Sequence, residues 1–175
     1  MKKLRIALIV LAALLLAFAF VWFAPSPDPP VLYAHYETAE GPQTRHGALS
    51  GLNFGNWLVK QCMNVWSLDP NSFGNPHYDD RTITAPAGTM LRFTNQAENG
   101  RRRYRMGGAT IDFLGLEDCL AQHGYGVNDI QECEVLNKYE FQYAAPEIPG
   151  QYVIWLDVDF RSHGSAHYVI FLDAK

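Results

Sequence analysis

The chain has 175 residues with 14 lysines and arginines against 18 aspartates and glutamates, a net charge of −4. Hydrophobic residues make up 48%, so the bulk of the chain folds around a core rather than staying disordered. The acidic balance argues against nucleic acid as a partner.

The first five residues, "MKKLR", carry three positive side chains, and Ile6 to Ala24 then run nineteen residues without a charge. At the helical rise this run is about 28 Å long, close to the hydrocarbon thickness of a bilayer. The expectation is a single-pass anchor over 6–24 in the inner (plasma) membrane. The basic flank 1–5 would stay in the cytoplasm and the rest would lie in the periplasm or outside the cell. A cleaved signal peptide ending near Ala17-Phe18-Ala19 is the alternative; both routes export the domain. "PSPDPP" at 25–30 opens a stiff, extended linker assigned to 25–45, and the exported domain is assigned to 46–175.

Export makes a disulfide permissible. Of the three cysteines, Cys119 and Cys133 bracket a compact polar segment and form the expected pair, leaving Cys62 as a buried thiol or a metal or redox ligand. No CxxC occurs, which removes thioredoxin-like and c-type haem chemistry.

Between Val31 and Asp80 there is no clean helical period; one or two short strands are placed around Trp57–Val65, followed by a turn-rich loop, "DPNSFGNPHYDD". From Arg81 the β signal is strong. "RTITAPAGTMLRFTN" reads as strand, turn, strand. "ENG" reads as a hairpin turn with "RRRYRM" as the return strand. "GLEDCLAQHG" is a short helix stopped by Gly124, and "KYEFQYAA" is an alternating strand. "QYVIWLDV" and "HYVIFLDA" are apolar on both faces, as central strands are. The sum is an all-β sandwich. Trp57, Trp66 and Trp155 are assigned to its core.

Three phrases together resemble the cupredoxin fold, a Greek-key β-sandwich: "TAPAGTMLRFTN", "YEFQYAAPEIPGQYVIWL", and the loop "DVDFRSHGSAHYVIFL" before the last strand. The likeness covers about 95 residues, Arg81 to Lys175. Within cupredoxins the anchor and loop are most similar to subunit II of haem–copper oxidases, whose dinuclear copper loop reads Cys-x3-Cys-Gly-x2-His-x2-Met. On that pattern Asp159 and His163 stand at the two cysteines, Gly164 at the glycine, His167 at the histidine and Ile170 at the methionine. Met106 is nearest to the upstream ligand. With no thiolate in the loop, the resemblance implies a domain without the conventional copper centre.

What remains is a possible two-histidine, one-carboxylate set, Asp159, His163 and His167, with Met106 as a soft donor. It would take a single Cu or Zn ion if the loop curls. On an extended strand residues four apart are about 13 Å apart. The alternative is a loop whose imidazoles hydrogen-bond to neighbours. His35, His46, His77 and His123 are scattered and expected at the surface. Arg101, Arg102, Arg103 and Arg105 form the one concentrated basic stretch, suited to carboxylates or phosphates on a partner surface or lipid. No GxSxG, HExxH or P-loop occurs. Together with the anchor, the resemblance implies a non-catalytic subunit of a membrane complex, of haem–copper oxidase or nitric oxide reductase-like type, contacting other membrane subunits and lipid. A metal-binding or copper-delivery protein using His163 and His167 is the alternative.

Overall fold

The computed structural model describes residues 2–22, 30–55, 60–64, 70–97, 103–121 and 130–175. Helix α1, Lys2–Trp22, takes up the apolar N-terminal run. Among the described residues no helix is long and apolar enough to cross a membrane.

The rest is a two-sheet sandwich. The strands are β1 (Pro30–Thr38), β2 (Gly41–His46), β3 (Ala48–Gly55), β4 (Lys60–Asn64), β5 (Thr82–Ala85), β6 (Met90–Ala97), β7 (Gly108–Gly115), β8 (Gln131–Glu132), β9 (Glu134–Asn137), β10 (Glu140–Ala144), β11 (Gly150–Asp159) and β12 (Gly164–Ala174), with a short helix α2 (Leu116–Ala121) after β7. One sheet runs β2-β1-β6-β10-β9; the other runs β4-β3-β12-β11-β7-β8, with β5 pairing in parallel to the far half of β12.

Strands β11 and β12 are central, as their continuous apolar character requires. Along β11, Ile154, Leu156 and Val158 enter the inter-sheet core, while Val153 and Trp155 belong to a second apolar cluster with Ala48, Leu114, Val169 and Phe171. The period of two thus assigns alternate residues of one strand to opposite faces.

Several expectations are corrected. The linker assigned to 25–45 holds β1 and nearly all of β2, and along β1 Leu32, Ala34 and Tyr36 alternate inward. The proline run masked that alternation. Strand β3 lies ahead of the expected Trp57–Val65 strands, which overlap only β4; Trp57 and Trp66 fall outside the described residues. The turn-rich loop is tightened by 3₁₀ turns at Pro70–Ser72 and Pro76–Arg81.

The turn expected at Asn99-Gly100 lies outside the described residues, and the next strand after β6, β7, belongs to the other sheet. Residues 103–106 are not strand. The reason is local. Buried Asn95 accepts from the Tyr104 amide (2.8 Å) and donates to the Tyr104 carbonyl (2.9 Å). This carries the chain across the end of the sandwich and places Tyr104 in the core.

The expected Cys119–Cys133 disulfide is absent: none of the three cysteines is in a disulfide. Cys133 packs in the inter-sheet core and Cys119 in the second cluster. They therefore lie in different packing layers, and the short span between them in sequence misleads. Cys62, read as a buried thiol or a metal or redox ligand, is exposed on β4.

Candidate functional site

The β11–β12 loop, Phe160 to His163, is closed by two backbone bonds, Phe160 N–H to Gly164 O (2.6 Å) and His163 N–H to Phe160 O (3.1 Å). Arg161 takes a positive φ of 53° there, and its amide donates to Asp159 Oδ1 at 3.0 Å. Gly164 is required twice over. Its φ is 104°, and a Cβ would stand 1.9 Å from the Asn53 carbonyl oxygen of β3.

The loop separates its two histidines. His163 lies against the inter-sheet core: its ring stacks on Phe54 (centroids 5.4 Å apart) and meets the edge of Tyr104 (5.2 Å). Its Nδ1 sits 2.7 Å from the Gly55 carbonyl oxygen. A carbonyl only accepts, so Nδ1 carries the proton and Nε2 holds the lone pair in the neutral ring.

His167 belongs to the other face. It stands opposite Asp157 in the β11–β12 register, and its ring packs 6.0 Å from that of Trp155. Gly51 on β3 makes room for it, since a Cβ there would come within 2.9 Å of its Cδ2. His167 Nδ1 is 3.4 Å from Asp157 Oδ2, an ion-pair distance, but the two lack hydrogen-bond alignment and Nδ1 is otherwise buried without a partner. Burial raises the Asp157 pKa, the His167 charge opposes that shift, and the neighbouring Asp159 adds to it.

Asp159 and Met106 also have structural work. A Cβ on Gly107 would fall 2.2 Å from Asp159 Oδ2, so the glycine admits the carboxylate. Met106 is buried in the core; its amide donates to Lys138 O (2.9 Å) and its carbonyl accepts from Arg161 Nε (3.4 Å). The four suggested metal donors are thus not brought together. Among the described residues no group of three or more His, Cys, Asp or Glu side chains is placed to hold a metal. No protein family and no curated protein sequence matches the chain.

The arginine stretch is only partly described; Arg101 and Arg102 lie outside the described residues. Arg103 Nη2 is 3.4 Å from Glu140 Oε1, and its guanidinium lies 5.2 Å over the Tyr139 ring. Glu140 also pairs with Arg92 and accepts from Asn137 Nδ2 (2.8 Å). The hydrogen bond from Arg92 holds its pKa below the ordinary carboxylate range. Arg105 is exposed.

Two contributors had no signal in the sequence. Lys138 and Arg161, far apart in the chain, share this end of the sandwich through Met106. His35, expected as a surface residue, has each ring nitrogen 2.9 Å from a threonine hydroxyl, Thr44 on one side and Thr94 on the other. Burial, helped by Arg92, lowers its pKa.

Proposed function

We infer that this chain is a membrane-anchored, exported β-sandwich of cupredoxin-like type. It serves as a non-catalytic subunit of a membrane complex, of respiratory haem–copper oxidase or nitric oxide reductase-like kind, without a conventional copper centre. The observation that carries this reading is the separation of His163 and His167. The segment that aligns with a copper loop is built as a packed surface: one imidazole stacked on Phe54, the other turned to Trp155 and Asp157. The nineteen-residue apolar run of the sequence supports the anchor, and the basic stretch supports docking.

The test is purification of the full chain from mildly solubilised membranes. Stoichiometric co-migration with other membrane subunits and a haem absorbance is expected; a chain that purifies alone overturns the reading. Metal analysis of the same preparation separates the metal-binding alternative. That alternative requires stoichiometric Cu or Zn that is lost when His163 and His167 are both replaced.

A further inference from the structure

The chain enters the sandwich at one particular end. Pro30 opens β1 opposite Ala97, the last residue of β6, and its carbonyl accepts from Tyr168 Oη at 2.8 Å. Glu140 pairs with Thr94, so the Lys138–Tyr139 turn that precedes it lies toward that end. Met106 joins the Lys138 carbonyl and the Arg161 side chain there. The Asn95 carboxamide pins Tyr104, between Arg103 and Arg105, to the same place.

The exposed charges divide accordingly. Arg103, Arg105, Lys138 and Arg161 are exposed at the entry end, with the exposed acids Asp159 and Glu132 beside them and Glu140 paired to Arg103. The opposite end holds the β1–β2 turn, the segment before β11 and helix α2; Glu37, Glu40, Glu117, Asp118 and Glu147 are exposed there, against one exposed cation, Lys175, which pairs with Asp173. A chain of net charge −4 is therefore polarised along its long axis.

The tether makes this polarity consequential. Eight residue steps separate Trp22, the last residue of α1, from Pro30. Fully extended, they reach at most about 29 Å. A bilayer holding α1 is thus the one surface that the entry end cannot leave. We propose that the end bearing Arg103, Arg105, Lys138 and Arg161 docks on anionic phospholipid headgroups and orients the domain upright on its membrane. Its basic side chains are attracted to the headgroup phosphates, while the acidic far end is repelled, and both forces act within about a Debye length of 8 Å. This rests on the membrane-anchor reading above.

The experiment is hydrogen–deuterium exchange on the full chain in nanodiscs of phosphatidylcholine alone or mixed with phosphatidylglycerol. Amides of 103–107 and 159–164 are expected to exchange more slowly in the anionic discs, on the order of tenfold, the effect of one or two basic side chains at such a surface. The turn at 39–40 should not change. High salt and the double variant R105E/K138E should each abolish the difference; both side chains are exposed. An unchanged exchange pattern at the far end establishes that the variant is folded. Equal exchange in the two lipids overturns the proposal. Protection found only in native membranes also overturns it, in favour of a protein partner. Failure of the chain to enter nanodiscs removes the anchor reading itself, so the two failures are distinct.

Discussion

The Asn95 carboxamide brackets the backbone of Tyr104, accepting from its amide at 2.8 Å and donating to its carbonyl at 2.9 Å, with both residues buried. This pair acts as a staple across the end of the sandwich, where the chain leaves one sheet for the other. Asn95→Ala removes both bonds and is expected to cost about 2–4 kcal/mol. Asn95→Asp keeps the acceptor and loses the donor, and it too should destabilise. Urea unfolding followed by tryptophan fluorescence reads both; a change near zero would show that the crossing does not depend on the staple.

Gly164 and Gly108 make a matched pair of tests. A Cβ on Gly164 would strike the Asn53 carbonyl oxygen at 1.9 Å from a φ of 104°, whereas one on Gly108 meets nothing within 4 Å. Gly164→Ala should cost more than about 3 kcal/mol, and Gly108→Ala should stay within about 1 kcal/mol. Equal midpoints for the two variants in denaturant would contradict the close approach of β3 to β12.

The thiols can be counted. In the folded chain Cys62 is exposed, Cys119 and Cys133 are buried, and none is in a disulfide. Burial raises the Cys119 pKa and pushes that of Cys133 up to about 12, and the thiolate is the reacting form. Iodoacetamide should add one label to the native protein. It should add three in denaturant without reductant, as read by intact mass. Only one label in denaturant would mean that Cys119 and Cys133 are bonded after all.

Two carboxylates should move stability with pH in opposite senses. Glu140 is lowered by Arg92, so its contribution is present above the unfolded carboxylate pKa and lost as pH falls through its folded value. Glu140→Gln should lose stability at neutral pH and flatten the acid limb of the curve. Asp157 is raised, chiefly by burial. Its protonated form is favoured in the fold, and its contribution is lost as pH rises through the folded value. Asp157→Asn should therefore gain a few tenths of a kcal/mol at neutral pH, a small effect because the side chain is 43% exposed. Thermal unfolding across acid to neutral pH reads both. Stabilisation by Glu140→Gln, or clear destabilisation by Asp157→Asn, would reverse the assignments.

Local pattern was enough for some of this molecule. The alternating or doubly apolar runs of β6, β10, β11 and β12 are visible in sequence because strand burial repeats every two residues. The short helix α2 and the apolar N-terminal run are equally plain, being local in origin. Strands β1 to β3 were hidden because the proline run before β1 and the glycines of β3 read as linker and turn, while the partners β6 and β12 lie far along the chain. The direction of the crossing from β6 to β7 depends on one buried carboxamide, which no periodicity announces.

The candidate site divides along the same line. His163, Gly164 and His167 could be found by spacing, and the need for glycine could be anticipated. Whether the imidazoles converge could not. That was decided by the register of β12 against β11 and β3, which assigns His167 to the Trp155 face and leaves His163 on Phe54. Likewise, "RRRYR" named a basic stretch, but only the tertiary fold joined Arg103 and Arg105 to Lys138 and Arg161 at the end where the chain enters. Charge sign and hydrophobic period are properties of neighbours in sequence; faces and ends are set by pairing across the sheet.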